Sequence, residues 1–408
     1  MANRPYPVIT VNEKAARSLR AGHPWVYGAE TSGPDRPCQN GDLVDVVSQK
    51  GRWLGTGLYN NHSKILVRLL SRNTNDRFDQ GFWRRRLRYA LDYRKTVMGP
   101  DYACCRLIFG EADQFPGFTV DRFGDILVTE VLSLGMEVRK DLLYPLLVDL
   151  LREDGVTVRA IYERSDAPLR DKEGLPKVTG FYPLPGLATD LDGHLLLEEN
   201  GIRYDVDYIH GQKTGFFLDQ KYNRRAAAAL APGRKVLDCF THTGAFALNC
   251  AQAGAAQVTA VDISQEAVAL TQRNAALNGL EGKVEARQAD VFDLLTQLAQ
   301  AGGHPYDYII LDPPAFTKSG ATVKNAFRGY KEINYKAMKL LPRGGYLATC
   351  SCSHFMTPAL FCQMLRKAAA DAAVSLRQIA DRRQAPDHPI LWGVPETEYL
   401  KFYLFQVI

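Results

Sequence analysis

The sequence predicts an α/β protein whose C-terminal half is a doubly wound parallel sheet, and three observations carry that expectation. Lys235–Asp262, KVLDCFTHTGAFALNCAQAGAAQVTAVD, holds a short apolar run ending in a carboxylate, a turn at Phe240–Gly244, an Ala- and Leu-rich stretch at Ala245–Ala253, and a second apolar run, Val258–Val261, closed by Asp262. Such spacing and punctuation give strand, turn, helix and strand, the unit of a parallel sheet. The alternation continues through Val284–Gln288, Tyr306–Leu311 and Gly345–Thr349, while short β-like runs dominate the front of the chain. At ~150 residues per domain, the chain divides into a small β domain (1–75), a compact mixed α+β domain (76–190) and the parallel-sheet domain (191–408).

Composition is that of a globular protein with enough apolar residues for sizeable cores. No apolar run approaches the ~20 residues of a membrane span, and MANRPYPVITVNEK has no apolar signal segment. The eight cysteines form no C-x-x-C pair: Cys104 and Cys105 are adjacent, and Cys350 and Cys352 are one residue apart. These are not zinc spacings, nor a disulfide framework in a chain this long. A cytoplasmic protein with reduced thiols, no metal site and no membrane partner is expected. The formal charge of +5 permits a nucleic-acid partner without demanding one.

In the first domain the clearest strands are Asp42–Val47 and Ile65–Leu70, punctuated by Gly51, Gly55, Gly57 and Asn60–Asn61, and Lys14–Leu19 suits a short helix. Small β domains of this kind often bind RNA, although fold alone does not establish it. A packing or dimerisation role, and with it a homodimer, stays open. Arg72–Gly81 is a polar linker. Phe82–Lys95, FWRRRLRYALDYRK, has apolar residues at helical spacing, with five arginines and a lysine expected to face outward. A basic helix can lie along a phosphate backbone, with Arg84, Arg85 and Arg88 as contacts, or be simply a solvated face. Arg106–Glu130 reads as β, Met136–Glu153 as helix and Ala160–Tyr162 as strand. Arg164, Asp166, Arg170 and Lys172, with Gly174 and Pro176, read as an exposed loop.

The third domain opens with Asn200-Gly201 between two apolar runs, a strong hairpin signal. The glycine-containing loop His210–Gln220 follows, and then a basic helix start, Lys221–Arg225. Ligands of parallel sheets bind at the carboxyl ends of strands, where Asp238, Asp262, Asp290 and Asp312 all fall. The first turn has one well-placed glycine, Gly244, and lacks the G-x-G-x-x-G that a dinucleotide's pyrophosphate needs. S-adenosylmethionine has no phosphate; it needs a tight turn at its methionine moiety and an acid for the ribose hydroxyls. Phe240, Thr243, Gly244 and Asp262 suit it, and Asp290 could accept from the adenine amino group.

Two strand ends carry chemistry, Asp312-Pro313-Pro314-Ala315-Phe316 and Cys350-Ser351-Cys352. Asx-Pro-Pro followed by an aromatic grips a planar amine in many nucleic-acid methyltransferases, which makes Pro313 and Phe316 candidate base contacts. Amine methylation needs no thiol, but carbon five of a pyrimidine does. A thiolate added at carbon six turns carbon five into an enamine-like carbon able to attack a methyl sulfonium. Cys350, at the end of its strand and facing Asp312, is the expected nucleophile, with Asp312 contacting the ring nitrogen. Strand alternation leaves Cys352 open. The base must leave its stack to be reached.

Gly211–Gln220 (GQKTGFFLDQ), Val236–Gly244 (VLDCFTHTG), Leu311–Phe316 (LDPPAF) and Thr349–Ser353 (TCSCS) resemble the bacterial large-subunit ribosomal RNA cytosine-C5 methyltransferases of the RlmI type. His23–Val26, Phe109–Asp113 and Ile161–Asp166 extend the likeness over nearly the whole chain. The resemblance implies a PUA-like RNA-binding β domain, a central α+β domain and a Rossmann-like class I methyltransferase domain. It implies S-adenosylmethionine as cofactor, carbon five of one cytidine in 23S RNA as acceptor, Gln220, Asp238, Gly244, Asp262, Asp290 and Asp312 at the cofactor, and Cys350 as nucleophile. One departure is that Ala315-Phe316 follow Pro314 where many 5-methylcytosine enzymes carry a second cysteine. A guanine-N7 methyltransferase sharing the K-T-G-x-F-L-D loop and D-P-P, and a non-catalytic RNA-binding or ribosome-assembly protein, are the alternatives.

Overall fold

The computed structural model describes residues 4–317 and 319–408. It divides the chain into two compact units: Met1–Leu195 with Asp207–Phe216 and Pro386–Thr397, and Leu196–Val206 with Phe217–Ala385 and Glu398–Ile408. The two front domains expected from the sequence thus belong to one unit, which also takes in the start of the third and two further segments of it.

The first unit begins with β1 (Val8–Val11), α1 (Glu13–Arg20), β2 (Trp25–Tyr27), β3 (Thr31–Pro34), β4 (Leu43–Ser48), β5 (Trp53–Tyr59) and β6 (Ile65–Ser71), in a sheet of order β2-β6-β5-β4-β1-β3. Asn12 caps α1 by accepting from the Ala15 amide, and Ala15, Ala16 and Leu19 pack into a core with Val11, Val44 and Val67. Gly57 is required by close approach, since a Cβ there would stand 2.5 Å from the Arg68 carbonyl oxygen.

Next come α2 (Gln80–Met98), β7 (Cys104–Phe109), β8 (Phe118–Phe123), β9 (Ile126–Val131), α3 (Leu134–Glu137), α4 (Lys140–Glu153), β10 (Ala160–Ser165) and β11 (Val178–Phe181), with sheet order β11-β10-β9-β8-β7. Asp79 caps α2, whose buried face is Phe82, Trp83, Leu87, Ala90, Leu91, Arg94 and Met98. The expectation that all its basic residues face outward is corrected at Arg94. That guanidinium is fully buried, paired with Asp113 (2.6 Å) and bonded to the carbonyls of Arg106 and Asp387. A charge survives burial when every donor finds an acceptor. The exposed loop expected at 164–176 is corrected at Arg164 and Arg170, while Asp166, Lys172, Gly174 and Pro176 are exposed as expected. Arg164 lies in β10, and Arg170 is fully buried, bonding the carbonyl of Val131 and the Glu137 carboxylate (2.9 Å). Glu173, also buried, accepts from Arg68 (2.7 and 3.1 Å), Ser63 and Asn60.

The ribbon β12 (His194–Glu199) and β13 (Ile202–Asp207) turns at Asn200 (φ +55°) and Gly201 (φ +75°), as the N-G pair requires. The second unit follows the sequence expectation in β14 (Lys235–Cys239), β15 (Gln257–Asp262), β16 (Val284–Gln288), β17 (Tyr308–Leu311) and β18 (Tyr346–Ser351), and adds two C-terminal strands, β19 (Leu376–Arg382) and β20 (Lys401–Val407). Its helices are α5 (Lys221–Ala228), α6 (Ala245–Gln252), α7 (Gln265–Leu277), α8 (Val291–Ala301), α9 (Val323–Leu340) and α10 (Pro358–Asp371). The sheet order is β16-β15-β14-β17-β18-β20-β19, parallel through β18, with β20 antiparallel between β18 and β19. Strand order reverses between β14 and β17, a switch point where ligands of such sheets bind. Among the described residues no helix is long and apolar enough to cross a membrane.

Candidate active site

Asp238 ends β14 on one side of the switch point. It is 1% exposed. Its Oδ2 accepts from the Thr241 hydroxyl (2.6 Å) and the Ala247 amide (3.0 Å), while no group among the described residues donates to Oδ1. Burial first, and the charges of Asp312 and Asp262 after it, push the carboxyl up to about 7. A buried oxygen without a donor is costly in isolation and fits a ligand bringing a donor or a positive charge.

The turn after β14 has three residues in the left-handed region: Phe240 (φ +64°), His242 (φ +52°) and Gly244 (φ +79°). Two of them carry side chains, and such strain gathers where backbone must be held for a ligand. Three bonds fix it. The His242 amide donates to Asp262 Oδ2 (3.0 Å), the Thr271 hydroxyl to the His242 carbonyl (3.2 Å), and Asn274 to the Thr243 carbonyl (3.0 Å). A Cβ at Gly244 would sit 2.7 Å from Thr271 Cγ2. Thr243 itself is buried.

Asp262 also accepts from the Ser264 amide (3.0 Å), so backbone bonds orient both its oxygens and leave further lone pairs. Asp290 caps α8, accepting from the amides of Phe292 (2.8 Å) and Asp293 (3.2 Å) through Oδ1. Phe240 and Phe292 lie 6.5 and 5.9 Å from the Phe316 ring, and Tyr330 lies 4.5 Å from it. These aromatic groups bring the β14 turn and the segment after β17 together. Of the two prolines after Asp312, Pro313 is buried and Pro314 exposed.

On the other side of the switch point, Asp312 follows β17 and Cys350 lies in β18. Asp312 Oδ1 accepts from Gln220 Nε2 (3.1 Å), and the Cys350 thiol stands close enough to the Asp312 carboxyl and Gln220 for both to act on its ionisation. Asn223 sets the Gln220 amide by donating to its Oε1 (2.7 Å), so Nε2 faces Asp312. Burial and the Asp219 charge raise Asp312 to about 6. Burial and Asp312 push the fully buried Cys350 thiol well above its ordinary range. Cys352 lies just past β18 and is half-exposed, close enough to interact with the Lys401 ammonium. Lys401 donates to the carbonyls of Ser353 and Tyr399 (both 2.7 Å), and burial lowers it to about 8.

The structure therefore brings Gln220, Asp238, Asp262, Asp290, Asp312, Cys350 and the Phe240–Gly244 turn to the carboxyl edge of one sheet. Asn223 and Lys401 went unrecognised in the sequence, and no local motif marks either. Arg84, Arg85 and Arg88 lie in the first unit and have carboxylate partners there: Arg84 pairs with Glu153, Arg85 with Asp76 (3.0 Å), and Arg88 with Asp154 (2.8 Å) and Glu153 (3.1 Å).

The PUA-like domain family matches residues 9–72, and the S-adenosylmethionine-dependent methyltransferase family matches residues 189–406. A relative from Shewanella denitrificans named ribosomal RNA large subunit methyltransferase I is 42% identical over 391 residues, 94% of this chain and 95% of the relative. One of the same name from Klebsiella pneumoniae is 37% identical over 411 residues, covering all of both chains. A solved SAM-dependent methyltransferase from Streptococcus mutans superposes with a TM-score of 0.81 at 21% identity, over 98% of this chain and 99% of that one. A methyltransferase solved with SAH gives 0.82 at 21% identity over the same shares. These two likenesses establish the fold, and the family matches establish S-adenosylmethionine as the cofactor.

Proposed function

Because this chain belongs to the ribosomal RNA large subunit methyltransferase I family, we propose that it methylates carbon five of one cytidine in large-subunit (23S) ribosomal RNA through a covalent adduct of Cys350 at carbon six. The observation that carries this reading is the thiol–carboxyl contact of Cys350 and Asp312 at the strand edge beside the switch point. Methylation of an amine would give that thiol nothing to do.

The chain's own residues then have defined tasks. Asp238 Oδ1 and the strained turn hold the methionine end of the cofactor, Asp262 takes the ribose hydroxyls, and Asp290 faces the adenine. The unsatisfied Asp238 oxygen is the feature that fits the cofactor's ammonium group. Phe316 and Pro314 border the space for a flipped base. The Cys350 thiol passes its proton to the Asp312 carboxylate as sulfur bonds to carbon six, and Asp312 passes that proton to the cytosine ring nitrogen. The proton's transfer to the ring nitrogen balances the electron pair that sulfur contributes. Bound S-adenosylmethionine supplies the electrophilic methyl group that carbon five then attacks. Loss of the carbon-five proton to water and expulsion of the sulfur, which recovers its proton from the ring nitrogen through Asp312, restore both aromatic ring and enzyme, without the second cysteine that Ala315 replaces.

A second reading moves the nucleophile to Cys352, which is half-exposed where Cys350 is buried and has a cation within reach. The test is nucleoside mass analysis of unmodified bacterial ribosomal RNA incubated with cofactor and wild type, Cys350→Ala or Cys352→Ala. New 5-methylcytidine lost only with Cys350→Ala supports the first reading, and loss only with Cys352→Ala supports the second. A methylguanosine product overturns the cytosine assignment, and absence of any product points to a binding role.

A further inference from the structure

Two adjoining cavities of the first unit serve none of the steps above. One, of about 530 Å³, is walled by Gly22, Pro24, Arg72, Arg86, Leu391 and Gly393 among others. The second, of about 660 Å³, runs past Arg85, Arg86, Tyr89 and Tyr93. They share Asn73, Asp76, Arg86 and Gln114, so they form one trough along α2.

Its arginines are only partly compensated: Asp76 attracts Arg86 without forming an ion pair with it. The half-buried Arg86 guanidinium donates to the carbonyls of Leu70 (2.5 Å) and Gln114 (3.4 Å), lies 4.6 Å over the Phe82 ring, and makes no ion pair among the described residues. Burial lowers it to about 10. The carboxylate beside it, Asp76, is held by Arg85 (3.0 Å) and the Ser71 hydroxyl (2.5 Å). On the opposite wall Arg72 donates to the carbonyls of Gly22 (2.9 Å) and His23 (3.3 Å), and it too makes no ion pair among the described residues. Glu111 and Asp113, the other acids of the trough, are engaged too: Glu111 accepts from the Trp25 indole (3.1 Å) and Asp113 pairs with the buried Arg94 (2.6 Å). Two guanidiniums thus stand over a cavity with their local carboxylates already engaged, an arrangement that favours an incoming anion.

Two exposed aromatic side chains lie on the same segments. Tyr89 is 64% exposed in the second cavity, and Trp392, between the lining residues Leu391 and Gly393, is 98% exposed. Exposed rings on the segments that carry a cationic cavity suit the alternation of base and phosphate along a single nucleic-acid strand, where stacking adds to charge.

We propose that this trough binds a single-stranded segment of the RNA substrate, with Arg86 and Arg72 on backbone phosphates and Tyr89 and Trp392 beneath bases. The inference rests on the RNA-methyltransferase reading above and adds a binding site remote in sequence from the reacting cysteine. The ion pairs of Arg84 and Arg88 with Glu153 and Asp154 assign those two arginines to holding α4.

The experiment is equilibrium binding of a short fluorescent single-stranded RNA to the full-length protein at several salt concentrations. Wild type, Arg86→Gln, Tyr89→Ala and Trp392→Ala are compared, with S-adenosylmethionine binding measured on each. Removing either ring should weaken RNA binding about 5- to 140-fold, the range of ~1–3 kcal/mol for a stacked base. Arg86→Gln should also reduce the logarithmic salt slope by ~0.7. Cofactor binding should not change. Trp392 supports no core packing, so its variant decides the matter even if Arg86→Gln folds poorly. Wild-type RNA binding matched by all folded variants overturns the trough and leaves the proposed activity standing. A wild type that binds cofactor but no RNA overturns both.

Discussion

The thiol of Cys350 neighbours the carboxyl group of Asp312 closely enough that each acts on the other's ionisation, so the proposed nucleophile and its proton acceptor are side by side before any substrate arrives. Burial raises Asp312 to about 6, and only its ionised form can take the thiol's proton. The sign follows: kcat/KM should climb as pH rises to about 6 and level off above it. Asp312→Asn should lose that inflection and ~10²–10⁴-fold in rate, the usual worth of a placed acid–base group. A variant as fast as wild type at pH 8 would remove Asp312 from the chemistry.

Asp238 sets cofactor binding against stability. Its folded-state value of about 7 lies above the ordinary carboxylate value. A carboxyl raised by burial stabilises the fold fully below its unfolded value of ~4 and loses that contribution as pH rises through its folded value. Without cofactor, urea unfolding should therefore show Asp238→Asn more stable than wild type at pH 8, by on the order of 2–4 kcal/mol, with little difference near pH 4. Cofactor affinity should move the other way. Wild type should bind more tightly as pH rises through about 7, where the carboxylate forms, while Asp238→Asn should bind weakly throughout. Calorimetry on both proteins at two pH values checks the pair; a variant that gains stability and keeps affinity would place the ammonium elsewhere.

Gly244 tests the turn. Alanine there carries a left-handed backbone, worth ~1–2 kcal/mol, and its Cβ meets Thr271 Cγ2 at 2.7 Å. Gly244→Ala should lower the thermal midpoint and weaken cofactor binding. Thr271→Ser removes the offending methyl and keeps the hydroxyl that donates to the His242 carbonyl. The double variant should recover the steric part of the loss and retain the backbone part. Equal stability of the single and double variants would mean that contact with Thr271 is not what excludes a side chain.

What the sequence disclosed was local. Asn200-Gly201 makes its own turn, and carboxylates closing apolar runs mark strand ends, so Asp238, Asp262, Asp290 and Asp312 were legible with the sheet edge they share. Tertiary arrangements were not. The sequence LRQIADR gives little sign that Leu376–Arg382 pairs with β20, because an edge strand exposed on most positions lacks apolar alternation. Helix α10 carried a readable start, Thr357 accepting from the Leu360 amide ahead of Pro358, which went unused. Arg94 sits on an apolar helical face, yet its acceptors at Asp113 and Asp387 are distant along the chain. Asn223 turns the Gln220 amide toward Asp312 only after α5 has packed.

The sharpest test of such hidden polar packing is Glu173, placed by the sequence near a polar, seemingly exposed stretch. Four groups converge on its carboxylate: both terminal nitrogens of Arg68, the Ser63 hydroxyl and the Asn60 amide. Arg68 and Glu173 are each less than a tenth exposed. Removing one partner of a buried pair strands the other charge, and the cost is ~3–5 kcal/mol. An exposed loop carboxylate would cost ~0.5 kcal/mol or less. Glu173→Ala should therefore lower the denaturant midpoint sharply. Replacing Arg68 and Glu173 together by methionine and leucine should cost less than Glu173→Ala alone, because no buried charge is left uncompensated. Chemical denaturation of the three proteins measures both differences, and a near-silent Glu173→Ala would show that water reaches Arg68 in its place.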